Sequence, residues 1–298
     1  MRFGTLEAGG TKMVLSIGNE KNELLEQISM PTEAPEKTIP AMIRWFAERD
    51  IAALGIGTFG PVDLRPDSPT YGFITSTPKP GWRNQPLMPA LRDALGVPSL
   101  IDTDVNAAAL AEWELGAARG LGSCMYVTVG TGIGAGLVIE GSLVHGLVHP
   151  ELGHMLLRPL DTDPAPEGFC PYHQGCLEGL ASGPAMEKRW GRSARELPPE
   201  HEAWELEAAY LAQMCMNAIC AFSPEKIILG GGVMQQKHLF PLIRRKTLDL
   251  LNGYVQSPEI LEHMDQFIVE PGLDTKSGAT GALLLARRAW EKNGKRQG

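Results

Sequence analysis

Four side chains in the second half of the sequence have the types and spacing of ligands for a tetrahedral metal ion. They follow the pattern H-x15-C-x2-H-x2-C: His154, Cys170, His173 and Cys176. Thiolate and imidazole ligands suit Zn²⁺, and four protein ligands leave no position open for a reacting molecule. The pattern therefore predicts a structural zinc site, the alternative being a loop of surface histidines and unbound thiols. Two earlier histidines compete as the first ligand: His145 and His149.

Two glycine-rich turns, one in each half of the sequence, have the composition of phosphate-binding loops. Residues 5–12 and 127–134 each read as a strand, a Gly/Thr turn and a second strand. Backbone N–H groups in such turns can point together at a phosphate, because glycine adopts the required dihedral angles. A third stretch, residues 229–233, follows a helix and a strand. A plain hairpin is the alternative for any one of these turns.

These turns differ from the best known nucleotide motifs. A P-loop and a dinucleotide fingerprint both open a helix, whereas the turns at residues 9–12 and 130–132 lead into strands. Residues 55–60 do spell G-x-G-x-x-G, but Pro61 and a proline-rich loop follow them. We therefore do not interpret that string as a nucleotide site.

Asp104 is a candidate general base. It lies just before a helical run, where a carboxylate could accept a proton from a substrate or could cap the helix. The local sequence favours the cap, and Asp102 is a nearby rival for the base.

These groups must be positioned by a mixed α and β framework. Short β-branched runs predict strands at residues 14–17, 125–129 and 227–229. Apolar residues three and four apart predict helices at residues 38–49, 86–95, 106–119, 202–222 and 278–292.

Length and composition exclude several classes of protein. The 298 residues are enough for two domains, and the net charge of −8 with no basic run argues against a nucleic-acid partner. No apolar stretch reaches the roughly 20 residues that span a bilayer, and no signal peptide is recognisable, so we expect a cytoplasmic protein without a membrane partner. The other cysteines are expected to be packing thiols: Cys124, Cys215 and Cys220.

The order of the motifs resembles that of the ROK family of sugar kinases. The matching motifs are residues 7–12 (EAGGTK), 55–61 (GIGTFGP), 104–108 (DVNAA), 130–134 (GTGIG), 151–154 (ELGH) and 229–232 (LGGG). Residues 71–82 are similar to the fructokinase branch, as is Glu7 where most relatives have Asp.

The resemblance implies an actin/hexokinase-like (ribonuclease H-like) α/β fold, with ATP and sugar in the cleft between two domains. We expect a small N-terminal α/β domain at residues 1–106 plus 278–298. A larger C-terminal domain at residues 107–277 would contain the zinc loop. The final helix should return to the first domain, and a homodimer is implied by the family.

The resemblance also assigns roles to individual residues. Asp104 becomes the catalytic base, and Thr103, where the family usually has Asn, becomes a weak sugar contact. ATP and its phosphates are expected at the glycine turns: Gly9, Gly10, Thr11, Lys12, Thr131, Gly132, Gly231 and Gly232. Glu7 would hold Mg²⁺ through water, the alternative being a charge partner for Lys12.

Three further residues are implied as sugar ligands: Glu151, His154 and Glu178. His154 lies in the Glu-x-Gly-His motif and is therefore the expected first zinc ligand. One imidazole can serve both purposes, with one ring nitrogen on the metal and the other near the sugar.

The implied activity is transfer of the γ-phosphoryl group of ATP to the 6-hydroxyl of D-fructose, giving fructose 6-phosphate and ADP. One alternative is another hexose: mannose, glucose or an N-acetylhexosamine. Another is a non-catalytic sugar-sensing regulator, since the family includes repressors. Those carry a DNA-binding segment before the first glycine turn, for which we expect no room here.

Overall fold

The computed structural model describes residues 1–297, which divide into two compact α/β units. Unit 1 comprises residues 1–114, 143–150 and those from 276 onward, and unit 2 comprises residues 115–142 and 151–275. These bounds differ from the predicted ones at three places, because residues 107–114, 143–150 and 276–277 belong to unit 1. No helix in the described part of the chain is long and apolar enough to cross a membrane.

Unit 1 contains a five-stranded mixed sheet. Its strands are β1 (Arg2–Ala8), β2 (Lys12–Asn19), β3 (Leu24–Pro31), β4 (Leu54–Thr58) and β5 (Ser99–Thr103), in the order β3-β2-β1-β4-β5. Strand β2 is antiparallel to β1 and β3, whereas β1, β4 and β5 are parallel. The carboxyl ends of β1, β4 and β5 therefore meet at one edge of the sheet.

The helices of unit 1 cover this sheet. They are α1 (Pro35–Ala47), α2 (Leu87–Leu95), α3 (Asp104–Glu114) and α10 (Ser277–Gln297). Trp82, in the segment that resembles the fructokinase branch, is fully buried, and its indole N–H donates to the Glu33 carbonyl at 2.9 Å. Part of that segment therefore belongs to the core of unit 1.

Unit 2 repeats the sheet topology of unit 1. Its strands are β6 (Ser123–Val129), β7 (Ile133–Ile139), β8 (Ser142–Leu143), β9 (Ile227–Gly230) and β10 (Ile268–Val269), in the order β8-β7-β6-β9-β10. β6 is antiparallel to β7 and parallel to β9. In the same way, β1 is antiparallel to β2 and parallel to β4. The internal repeat predicted from the two glycine turns is therefore confirmed.

The remaining helices belong to unit 2. They are α4 (Leu177–Ala181), α5 (Gly183–Trp190), α6 (Ala203–Phe222), α7 (Leu239–Leu251), α8 (Pro258–Leu261) and α9 (Met264–Phe267). Cys124 and Cys215 are buried as predicted, but Cys220 is exposed near the end of α6, so its prediction as a packing thiol is wrong. Helix α3 ends at Glu114 rather than at residue 119, because turns occupy residues 115–120.

Helix α3 belongs to unit 1 because α10 packs against it at the distance that glycine allows. A Cβ atom added at Gly281 would overlap the backbone carbonyl of Ala107, and one added at Gly55 would overlap the carbonyl of Ala282. The small residues at the start of α10 thus bring its backbone against both α3 and β4. This contact explains why the boundary of unit 1 lies beyond residue 106.

Gly281→Ala should destabilise the protein because the new methyl group would push α10 away from α3. Overpacking costs about 1–3 kcal/mol, which corresponds to a fall in Tm of roughly 2–12 °C for a domain of this size. Gly294→Ala is the matched control, because no atom lies within 4 Å of the added Cβ in the same helix. The control should leave Tm unchanged or slightly higher. Equal Tm values for the two variants would contradict this account of the packing.

Candidate active site

Asp104 is the first residue of α3, directly after β5. The Thr103 hydroxyl accepts from the Asn106 N–H at 3.1 Å, so Thr103 supplies the capping bond that the sequence had assigned to Asp104. The Asp104 carboxylate is half-buried and accepts from the Val105 N–H at 2.9 Å. A Cβ added at Gly57 would lie 3.4 Å from the Asp104 Cα, so this glycine lets β4 approach closely. The carboxylate therefore lies at the edge where the parallel strands end.

Asp102, the rival for the base, is engaged in a buried network. Its Oδ1 accepts from the Thr103 N–H and from the Asn106 side-chain amide, both at 2.8 Å. Its Oδ2 lies 2.8 Å from His145 Nε2, and this hydrogen bond raises the pKa of His145. Asp102 is thus occupied in holding its neighbours, which leaves Asp104 as the better candidate base.

Hydrogen bonds fix the β1–β2 turn at Gly9, and the rest of the turn is exposed to solvent. The Gly9 N–H donates to the Lys12 carbonyl at 2.9 Å, and the Thr32 hydroxyl donates to the Gly9 carbonyl at 2.7 Å. Gly10, Thr11 and Lys12 are exposed. Three of the four predicted phosphate ligands in this turn are therefore accessible to a ligand.

Glu7 lies at the end of β1, beside the first residues of α10. A Cβ added at Gly278 would come within 2.8–3.1 Å of the Glu7 carboxyl atoms. Burial raises the pKa of Glu7, while the charge of Lys12 acts to lower it. A single half-buried carboxylate beside an open glycine turn fits a magnesium ion that keeps most of its water ligands.

The β6–β7 turn in unit 2 has a comparable construction. The Gly130 N–H donates to the Gly132 carbonyl at 3.0 Å, and the Gly130 carbonyl accepts from the Gly183 N–H at 2.8 Å. Thr131 is exposed. The Glu178 carboxylate accepts from the Ile133 N–H at 2.9 Å, and an added Cβ at Gly132 would lie 2.7 Å from it. The structure therefore brings a predicted sugar ligand against a predicted phosphate turn.

The turn after β9 depends on a glycine with a positive φ angle. Gly231 has φ +93°, and a Cβ there would overlap the Val129 backbone. Gly232 is exposed and has no atom within 4 Å of an added Cβ. This open space agrees with the room expected for an adenosine.

Glu151 directly precedes a short 3-10 helix, Leu152–His154, that ends with His154 and packs tightly on β7. A Cβ at Gly153 would overlap the Ile133 carbonyl, so only glycine permits this approach. Glu151 is an exposed residue, yet desolvation by nearby protein atoms and then the charge of Glu178 raise its pKa to about 7. The carboxyl groups of Glu151 and Glu178 are therefore electrostatic neighbours.

The four predicted metal ligands form a cluster in unit 2. Their ligand atoms all lie within 4.8 Å of one another: His154, Cys170, His173 and Cys176. His154 Nδ1 is 3.9 Å from Cys170 Sγ and 3.8 Å from Cys176 Sγ, and Cys170 Sγ is 3.7 Å from His173 Nδ1. Ordinary Zn–S and Zn–N bond lengths place tetrahedral N and S ligands about 3.6 Å apart. The donor set and its spacing therefore fit zinc.

The competing histidines do not join this cluster. His145 contacts Asp102, and the buried His149 accepts from the Val62 N–H through Nε2 at 3.1 Å. His154 faces both thiols with Nδ1, so its Nε2 lies on the other side of the ring. The Cys176 thiol accepts from the Gly179 N–H at 3.4 Å, and burial raises its pKa to about 11.

The His145–Asp102 contact was missed by the sequence analysis. In the sequence, His145 and His149 stand ahead of the Glu-x-Gly-His motif, a pattern that indicates competing metal ligands and not a partner for Asp102.

Comparison with known proteins agrees with these features. The ROK family model matches residues 3–289. The fructokinase of Pediococcus pentosaceus is 44% identical, covering 97% of this chain and 99% of its own length. The fructokinase of Zymomonas mobilis is 41% identical, covering 97% and 98%.

The structural comparison supports the same conclusion. A ROK family glucokinase from Streptomyces griseus, solved in complex with glucose and AMPPNP, superposes with a TM-score of 0.76 at 25% identity, covering 97% of this chain and 100% of that one. The two units therefore have the two-domain actin/hexokinase-like fold. With its motifs, its repeated sheets and this family match over nearly its whole length, the chain belongs to the ROK family.

Proposed function

We propose that this protein is an ATP-dependent fructokinase, which transfers the γ-phosphoryl group of ATP to the 6-hydroxyl of D-fructose. The products are fructose 6-phosphate and ADP. The observation that carries the proposal is the half-buried Asp104 carboxylate at the edge of the parallel strands, in a chain whose near-full-length relatives include fructokinases.

Asp104 is the proton acceptor in this proposal. As the 6-hydroxyl oxygen attacks the γ-phosphorus atom, its proton passes to the carboxylate and ADP leaves. A positioned general base typically contributes about 10²- to 10⁴-fold in rate. Thr103 supplies the capping bond of α3, and the Asp104 carboxylate accepts from the adjacent Val105 N–H, which fixes its position at the start of the helix.

The phosphates of ATP are assigned to the two hairpin turns. Lys12 supplies a mobile positive charge, and the exposed backbone around Gly10 and Thr131 supplies N–H donors. When bound, Mg²⁺ would neutralise charge on the phosphate oxygens, with Glu7 as its carboxylate partner through water. The adenosine is assigned to the turn at Gly231 and Gly232, where the open space beside Gly232 would leave room for it and Gly231 lets the turn pack on Val129.

The sugar is assigned to Glu151, His154 and Glu178, with Thr103 as a weaker contact. Glu178 is fixed by the Ile133 N–H, which leaves its other oxygen to accept from a sugar hydroxyl. Glu151 and the Nε2 of His154 are the further ligands. Thr103 contributes little, because its oxygen already accepts from the Asn106 N–H.

Zinc is proposed as the ion at the cysteine and histidine cluster. The ion would be structural, because the four side chains complete a tetrahedral set. Its effect on the sugar site is to order the loop before the sugar arrives, which reduces the entropy lost on binding. His154 connects the two sites, since its Nδ1 faces the cluster.

Two finer properties are also proposed. The family resemblance supports a homodimer, which light scattering on the purified protein would measure. A thiolate cluster and an ATP-dependent reaction both suit the cytoplasm, where thiols stay reduced.

A coupled ADP-release assay over a panel of hexoses tests the proposal. We expect kcat/KM for fructose to exceed that for glucose, mannose and N-acetylhexosamines by orders of magnitude. A preference for another hexose would support the kinase activity and show that the proposed sugar is wrong. Absence of turnover with every hexose would favour the regulator.

A further inference from the structure

His145 is attached to the strand that leads to the proposed base. Its Nε2 lies 2.8 Å from Asp102 Oδ2, and Asp102 is followed along the chain by Thr103 and Asp104. The Asp102 side chain is 5% exposed, whereas that of His145 is 41% exposed. A buried carboxylate therefore holds an accessible imidazole next to residues assigned to the sugar.

The position of His145 is fixed by a second anchor in the same segment. Residues 143–150 belong to unit 1, although the chain on either side belongs to unit 2. His149, four residues further on, is buried and accepts from the Val62 N–H at 3.1 Å. Burial lowers the pKa of His149, which suits a neutral imidazole that accepts through Nε2. The segment is thus bound to unit 1 by two histidines.

The free edge of the His145 ring has the right chemistry for a hydroxyl group. Among residues 1–297, the hydrogen bonds of His145 all involve Nε2, which leaves Nδ1 for a ligand. With Nε2 donating to Asp102, Nδ1 accepts when the ring is neutral and donates when it is protonated. A sugar hydroxyl can donate to the neutral ring or accept from the protonated ring, so the contact can form in both protonation states of His145.

A residue of the fructokinase-like segment also senses the charge of this carboxylate. Burial raises the pKa of Tyr71, and the charge of Asp102 raises it further. Tyr71 is the first residue of this segment, residues 71–82, and the buried Trp82 is the last. Tyr71 and His145 are therefore both electrostatic neighbours of Asp102.

We propose that His145 is a further sugar-binding residue, which contacts a hydroxyl of bound fructose other than the reacting 6-hydroxyl through Nδ1 while Asp102 holds its ring. The inference rests on the proposed function, since fructose is taken as the ligand. Asp102 is then a positioning residue for His145, and not a second base.

His145→Ala should raise the KM for fructose by about 10- to 100-fold, the usual range for losing a hydrogen bond to a charged or strongly polar group. The KM for ATP should stay within about twofold, because the contact is to the sugar. His263→Ala is the matched control, since that histidine is exposed in unit 2 and has no assigned role. Tm is measured for each variant, and His145→Gln, which keeps an amide N–H for Asp102, replaces His145→Ala if the latter does not fold.

Kinetics of the His145 variant with sugar analogues distinguish a direct contact between His145 and the sugar from an indirect structural role. The probes are 1-deoxy-, 3-deoxy- and 4-deoxy-D-fructose and 2,5-anhydro-D-mannitol, each of which lacks one hydroxyl of the furanose. If His145 contacts one of these hydroxyls, the loss of kcat/KM caused by the substitution should vanish for the analogue that lacks it. An equal loss with fructose and with all four analogues would overturn the proposal.

The same data distinguish the two proposals. If the natural protein phosphorylates fructose and His145→Ala has an unchanged KM, the role of His145 is wrong while the fructokinase assignment stands. If the natural protein neither phosphorylates fructose nor binds it in calorimetry, both are wrong.

Discussion

Asp104→Asn should lower kcat with fructose by about 10²- to 10⁴-fold or more, because an amide cannot accept the proton of the 6-hydroxyl. The KM for fructose should change only a few-fold, since Asn keeps the size and the hydrogen-bonding reach of the side chain. Its Oδ1 can still accept from the Val105 N–H, and the cap from Thr103 is untouched, so Tm should stay near that of the natural protein.

Asp93→Asn is the matched control for this substitution. Asp93 lies in α2 of the same unit, its side chain is 67% exposed, and it pairs with the adjacent Arg92. Steady-state kinetics by coupled ADP release should find the control unchanged. A kcat for Asp104→Asn near that of the natural protein would remove Asp104 from its assigned role.

Loss of the metal cluster is the second large effect that we expect. Cys176→Ser removes a buried thiol that lies 3.8 Å from His154 Nδ1 and accepts from Gly179 at the start of α4. The protein should lose bound zinc, show a lower Tm and have a KM for fructose raised by at least about tenfold, or roughly 1.4 kcal/mol of binding free energy. The KM should rise because His154 and Glu178, two assigned sugar ligands, lie in segments that the metal ligands hold in place.

Cys220→Ser is the control for the cluster, because Cys220 is an exposed thiol on α6 and is not a ligand. Zinc is quantified by plasma mass spectrometry, alongside Tm and fructose kinetics. The control should keep its zinc and its KM. Normal fructose kinetics in a protein with verified loss of zinc would show that the metal does not order the sugar site.

Local patterns were sufficient to predict much of the fold. The two glycine turns indicated two hairpins, and both are present in sheets with the same strand order. The pattern of His154, Cys170, His173 and Cys176 was also sufficient, because three of the ligands lie three residues apart in one loop, which local geometry brings together.

Features set by contacts distant in sequence were not predictable. Helix α3 joins unit 1 because α10, more than 160 residues later, packs on it at Gly281. The capping role passed from Asp104 to Thr103, since hydrogen-bond geometry decides between adjacent residues. The contact between His145 and Asp102 spans 43 residues, and neither residue lies in a motif that predicts the other.

The most direct test of the central claim is the ratio of kcat/KM for fructose to that for glucose, measured by ADP release with the metal-loaded protein. We expect a ratio of orders of magnitude in favour of fructose, with fructose 6-phosphate as the product. A ratio near one, a preference for glucose, or no ADP release with either sugar would contradict it.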